Sequence, residues 1–265
     1  MTEWCQGIGL KPFPPEGGGF YQRRGLKKGF WVSPRACVSG SSPDGWEQNK
    51  VCLLVFVHGW GFDASFWQPL RDQLPEYPGV AFDLGFRAQP QWPPIPAGGK
   101  IIAVGHSTGF AWLLHERPFR WDALVAINGF SRFVEGPDFR PAVAPQVLER
   151  MIRRFASTPL AVATEFLTRC GAIGLESANF DVKALAAGLV WLRDWDERAA
   201  LAEDPAPLLV LAGARDPIIP MAMTERCFGG RSRTIMHRRE GGGHLLPHDD
   251  PAWCAQHLRA LAKVL

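Results

Sequence analysis

The chain lacks the features that mark several protein classes. Its six cysteines (Cys5, Cys37, Cys52, Cys170, Cys227 and Cys254) form no C-x-x-C pair and no tight framework spacing. Neither a disulfide scaffold nor a zinc site is expected, and the thiols read as reduced. There is no long basic run, and the formal net charge is only +3, so nucleic acid is not an implied partner. The strong apolar run Val51 to Val57 has seven residues, where a membrane-spanning helix needs about 20. Met1 to Phe13 carry no apolar stretch of signal-peptide length, and no internal repeat is seen. The expectation is a soluble, cytoplasmic monomer with no membrane partner, no metal and no cofactor.

What is present suits a large single core. The chain has 265 residues, 46% of them hydrophobic, enough to bury a sizeable α/β interior. Residues 1–50 stand apart, with Pro12, Pro14, Pro15, the triplet Gly17 to Gly19 and the run Gly40-Ser41-Ser42-Pro43. Breakers at this density predict an irregular N-terminal segment, with a short hairpin possible within Phe20 to Val38. From Val51 onward, apolar strand patterns alternate with helical ones. Strands are predicted at Val51 to Val57, Val80 to Asp83, Ile101 to Val104, Ala123 to Ile127 and Leu208 to Leu211. A more polar one at Ser232 to Met236 is placed nearer the sheet edge. Helices are predicted at Ala64 to Leu74, Thr108 to Glu116, Ala222 to Phe228 and Ala252 to Val264. This order argues for a mostly parallel central sheet flanked by helices. Residues 131–204 interrupt it with helical patterns alone, at Ala144 to Phe155, Leu160 to Cys170 and Val182 to Trp191. They are read as a helical lid inserted between core strands. Residues 51–130 and 205–265 then make up the core.

Gly105-His106-Ser107-Thr108-Gly109 fits G-x-S-x-G between a predicted strand and a predicted helix, the context a nucleophile elbow requires. A serine hydroxyl is a poor nucleophile near neutral pH and needs a base oriented by an acid. In the α/β-hydrolase fold the chain order is Ser, then Asp or Glu, then His. His244, in Gly241-Gly242-Gly243-His244, follows the Ser232 to Met236 strand on a glycine-rich loop, and His248 is the competing base. Asp216, after the Leu208 to Leu211 strand, precedes His244 by 28 residues; Asp194 and Asp196 are the competing acids. His58-Gly59-Trp60-Gly61 follows the first core strand directly. The amides of Trp60 and Thr108 are the candidate oxyanion donors, and His58 is assigned to bracing its loop.

His58-Gly59-Trp60-Gly61-Phe62-Asp63-Ala64, with Phe66-Trp67 after it, resembles the opening of esterases that cleave pimeloyl-[acyl-carrier protein] methyl ester in biotin synthesis. Leu185, Gly188, Leu189, Leu192, Asp196 and Arg198 resemble the end of that family's lid. Ala126-Ile127-Asn128-Gly129-Phe130 is similar to a second esterase family serving the same step. The resemblance, over roughly residues 51–265, implies an α/β-hydrolase fold and a carboxylesterase. It further implies that Ser107, Asp216 and His244 are catalytic, that Trp60 and Thr108 form the oxyanion hole, and that the Trp60 side chain touches substrate. The implied partner is an acidic acyl-carrier protein. Arg150, Arg153 and Arg154 lie at i, i+3 and i+4 of a predicted lid helix and so share one face, where they are candidates for docking it. The chain departs from the family in its first fifty residues, at His106 and at Phe110.

Overall fold

A computed structural model describes residues 52–172 and 179–265. The irregular segment expected over residues 1–50, its possible hairpin and Val51 lie outside the described residues.

Six strands form one sheet: β1 (Cys52–Val57), β2 (Gly79–Phe82), β3 (Lys100–His106), β4 (Ala123–Ile127), β5 (Leu208–Gly213) and β6 (Thr234–Arg239). Every residue of β1, β4 and β5 is buried. These are continuous runs without a polar side chain, as strands covered on both faces must be. The order is β2-β1-β3-β4-β5-β6 and every pairing is parallel. The half-polar β6 stands at an edge, as its composition predicted.

Two consequences of this topology position the site. All strands run the same way, so the loops after β1, β3, β4, β5 and β6 leave from one edge. The chain also turns outward from β1 to β2 before crossing back to β3, which makes the gap between β1 and β3 a topological switch point, the crevice where open α/β sheets bind ligands. Register then aligns the exits. Val57 pairs with Gly105, Ile127 pairs with His106 and Leu211 pairs with Ile127. The residues just beyond, Gly59, Ser107 and Asn128, therefore lie in one row.

The predicted helix over Ala64 to Leu74 is broken. A 3-10 turn at Ala64–Trp67 gives way to α1 (Gln68–Asp72). Asp63 caps the turn by accepting from the Ser65 N–H at 2.8 Å, and Pro69 restarts the helix at its first turn. Helix α2 (Thr108–Glu116) follows β3. Between β4 and β5 come α3 (Pro145–Ser157), α4 (Pro159–Cys170), α5 (Val182–Asp194) and α6 (Arg198–Glu203). Among the described residues this stretch contains isolated bridges but no strand. Leu148 and Phe155 of α3 and Leu185, Leu189 and Leu192 of α5 bury the apolar faces. Asp181 caps α5 through the N–H groups of Lys183 and Ala184. Helices α7 (Met221–Phe228), α8 (Leu246–Asp249) and α9 (Pro251–Ala262) complete the chain. No described helix is long and apolar enough to cross a membrane.

One polar-aromatic clasp joins the start of the insertion to its end. The buried Phe139 ring is approached by Arg132, Arg198 and Arg226 at 5.9, 5.2 and 5.8 Å. Asp196 pairs with both Arg132 and Arg198, and Asp138 with Arg198. Truncating the ring removes core area and the surface on which three guanidinium groups rest. Phe139→Ala is expected to lower the unfolding free energy by about 3–5 kcal/mol, measured by chemical denaturation. A loss below about 1 kcal/mol, the scale of a surface change, would show that the ring is not the centre of the clasp.

Candidate active site

Ser107 stands between the last residue of β3 and the first of α2 with φ 52° and ψ −124°, a strained conformation for a residue with a side chain. The turn is possible because glycine flanks it on both sides. A Cβ at Gly105 would lie 2.4 Å from Phe110 Cα, and one at Gly109 would lie 2.2 Å from the Val57 carbonyl oxygen. The chain passes itself at these points with no room for a methyl group. Thr108 opens α2, where first-turn N–H groups have no partner within the helix.

Asp216 and His244 are brought together from the loops after β5 and β6. The loops meet at backbone level, since a Cβ at Gly213 would lie 2.3 Å from the Gly243 oxygen. Asp216 is buried. Its Oδ1 accepts from the N–H groups of Ile218 and Ile219 at 2.7 and 2.9 Å, and its Oδ2 accepts from His244 Nδ1 at 2.7 Å. The carboxylate is thus locked, and it keeps the ring proton on Nδ1. His244 Nε2 is left as a bare lone pair, buried and without a hydrogen-bond partner. Ser107 Oγ and His244 Nε2 are not bonded to each other in this conformation. The rings of His244 and His106, the residue beside Ser107, stand 4.8 Å apart. The competitors lie elsewhere: His248 is exposed on α8 against Phe66, Asp194 pairs with Arg193, and Asp196 belongs to the Phe139 clasp.

The His58–Gly61 loop crosses directly beside the serine, where a Cβ at Gly59 would lie 3.0 Å from Ser107 Cβ. His58 braces it. Nε2 accepts from the Leu84 N–H at 3.0 Å, and Nδ1 donates to the Gly59 oxygen at 2.9 Å. The Trp60 ring is 1% exposed and donates Nε1–H to the Leu185 oxygen at 2.8 Å. Phe155 and Phe166 meet it edge-on, and a Cβ at Gly188 would lie 2.5 Å from it. Trp60 therefore ties the candidate oxyanion loop to α3, α4 and α5. The ring is packed against these helices, and its one polar group is already engaged.

Arg150, Arg153 and Arg154 are all exposed on α3. Arg153 pairs with Glu149 at 3.9 Å and Arg154 with Glu165 at 2.7 Å. Arg150 makes no ion pair among the described residues. Among those residues, no cluster of three or more His, Cys, Asp or Glu side chains is placed to hold a metal.

Two residues contribute more than their sequence positions suggested. Asn128, in the left-handed region at φ 46°, bonds main-chain atoms of both the Asp216 and the His244 loops. His106 is fully buried and stacks on Phe66 at 4.5 Å. Its Nε2 meets the His244 carbonyl oxygen at 2.9 Å; since a carbonyl only accepts, Nε2 carries the proton and Nδ1 is bare. Burial, and secondarily the nearby His244, push the His106 imidazole well below its ordinary range.

A parallel sheet with a strained serine turn, a buried His–Asp pair and a Gly-Trp-Gly loop at one edge defines a hydrolase of the α/β type. The profile of the alpha/beta hydrolase family matches residues 54–257, and the chain belongs to that family. Within it, this is a carboxylic ester hydrolase. A pimeloyl-[acyl-carrier protein] methyl ester esterase of Legionella pneumophila (strain Corby) is 30% identical over 209 residues, covering 70% of this chain and 85% of its own. A protein of the same name from Stenotrophomonas maltophilia (strain R551-3) is 28% identical over 260 residues, covering 84% and 95%. An esterase structure from Exiguobacterium antarcticum shares the fold, with a TM-score of 0.68 at 14% identity over 81% of this chain and 92% of its own.

The depressed His106 imidazole has a consequence for stability. Its folded-state value lies below the ordinary 6.5, so the unfolded chain binds that proton more readily. The resulting stability is present above the ordinary value and is lost as pH falls through it towards the folded value. Between about pH 7 and about pH 5, the wild type is expected to lose more stability than His106→Gln in denaturant titrations. Parallel pH curves for the two proteins would show that His106 is not held neutral.

Proposed function

We propose that this chain hydrolyses the methyl ester of a pimeloyl group borne on an acyl-carrier protein, a step of biotin synthesis, through an acyl-enzyme on Ser107. The observation that carries the chemistry is the 2.7 Å His244–Asp216 bond, which leaves a bare Nε2 in the buried site entered by the strained serine. Ser107 Oγ attacks the ester carbonyl while His244 Nε2 takes its proton. Asp216 holds the ring and stabilises the imidazolium. The N–H groups of Trp60 and Thr108 receive the tetrahedral oxyanion, each donor contributing about 2.7–4 kcal/mol to lowering the barrier. Collapse returns the proton to the departing methoxide, giving methanol. Water, activated by His244, then attacks the acyl-serine and releases the free carboxylate and the serine hydroxyl.

The substrate rests on the names of the Legionella and Stenotrophomonas relatives, together with the H-G-W-G turn and the lid pattern of this chain. Residues 131–204 act as the lid over the carboxyl edge, held to the oxyanion loop by Trp60. On α3, Arg150 is the residue best placed to attract an acidic carrier, because Arg153 and Arg154 already have carboxylate partners. Those same pairs favour a second reading, a hydrolase of small free esters or lactones that keeps the same nucleophile and needs no docking face.

Ser107→Ala is expected to abolish turnover of pimeloyl-carrier methyl ester and labelling by a serine-directed phosphonate; labelling that persists would sink the nucleophile assignment. Asp216→Asn, which keeps the shape but disturbs the tautomer, is expected to lower kcat by about 10⁴-fold.

Arg150→Glu is expected to reduce kcat/KM for the carrier-bound ester by about threefold to tenfold, an effect that shrinks as salt is added. Hydrolysis of a free methyl ester should be unchanged. Equal kcat/KM on carrier-bound and free esters, with no salt dependence, would favour the second reading.

A further inference from the structure

The loops bearing Asp216 and His244 come from different strands, and one side chain joins them. Asn128 sits one residue past β4, between β3 and β5. Its Oδ1 accepts from the Gly213 N–H at 2.8 Å, at the start of the acid loop. Its Nδ2 donates to the carbonyl oxygens of Gly243 at 2.9 Å and His244 at 2.8 Å. Both polar atoms of the amide are therefore committed to main-chain groups of the two loops. Asparagine is among the residue types that tolerate the left-handed backbone found here.

We infer that Asn128 is a positioning residue, which sets the His244 imidazole against Asp216 and Ser107 by holding the His244 main-chain carbonyl, with His106 as the second donor to that oxygen. The inference rests on the reading of Ser107, His244 and Asp216 given above. Its physical logic is local. His244 follows three glycines, Gly241 to Gly243, a segment with little stiffness of its own. Where the Gly213–Gly243 approach fixes how near the loops come, the two donors on the His244 oxygen fix how the histidine is turned. An aspartate at the same place keeps the acceptor for Gly213 but turns an acceptor towards two carbonyl oxygens. Donor function and volume can thus be separated by substitution.

The experiment compares wild type, Asn128→Ala and Asn128→Asp in the full chain. Readouts are kcat and KM for a methyl ester, phosphonate labelling at Ser107, and the downfield proton resonance of the His244 Nδ1–H bonded to Asp216. Asn128→Asp is expected to lower kcat by about 10²-fold, the scale of a displacement of about 1 Å at a reacting group, with KM changed less than threefold. Its Nδ1–H resonance should shift or broaden, and Asn128→Ala should behave alike if it folds. Wild-type kcat and an unmoved resonance in Asn128→Asp would overturn the inference, as would a rise in KM alone. Failure of the underlying reading looks different: Ser107→Ala would still be labelled, whatever the resonance does in the Asn128 variants.

Discussion

At Gly109 a Cβ would lie 2.2 Å from the Val57 carbonyl oxygen, and at Gly213 one would lie 2.3 Å from that of Gly243. These approaches are the constraint on which the carboxyl edge of the sheet depends. The first brings β1 against the start of α2, so the Gly59–Trp60 loop and Ser107 share one crevice. The second brings the loop after β5 against the loop after β6, so that Asp216 and His244 meet at hydrogen-bond distance. Neither approach survives a side chain, and no rearrangement of flexible atoms could absorb one, because the opposing atoms are backbone. The strained φ of Ser107, of the order of 1–3 kcal/mol, is held in place by this packing and by the fully buried β1 and β4 around it.

Around that edge, several buried polar groups are answered by main-chain or side-chain partners. Asp216 receives three hydrogen bonds, and the His58 loop is tied to Leu84. Asn128 satisfies main-chain groups from two strands' loops. Among the buried atoms left without a partner are His106 Nδ1 and His244 Nε2, beside Arg87 Nη2 and Ser131 Oγ. An unanswered acceptor costs about 1–3 kcal/mol. For His244 that cost coincides with the atom a general base needs to keep free; for His106 no such use is evident.

The inserted helices join this edge through aromatic and charged contacts of opposite character. Trp60 reaches out of the loop into α5, and Phe139 gathers three arginines where the insertion leaves and rejoins the core. Both are buried. The arginines of α3 are exposed, and two of them are tied to glutamates, in pairs that contribute little to stability in water. What remains available on that face is Arg150, a narrower surface than three aligned cations.

The runs Val51 to Val57, Ala123 to Ile127 and Leu208 to Leu211 were legible as buried strands because continuous apolar runs bounded by breakers have few other uses. Helices α3, α4 and α5 of the insertion were legible because their periodicity is strong, while the six-residue α6 is too short to show one. Ser107, Asp216 and His244 could be listed in order because the chemistry restricts both residue type and position after a strand. Sequence alone therefore determined the α/β class, the alternation of elements and the identity of the candidate groups, since these depend on local pattern. Only the tertiary structure decided that Asp216 and not Asp194 or Asp196 meets His244, that Trp60 is held by the inserted helices, that Arg153 and Arg154 are paired, and that Asn128 and His106 converge on one carbonyl. Apart from the two arginine pairs, which join residues four and 11 positions apart, each of those depends on segments distant in the chain meeting, up to 138 positions apart, and no local pattern carries that information.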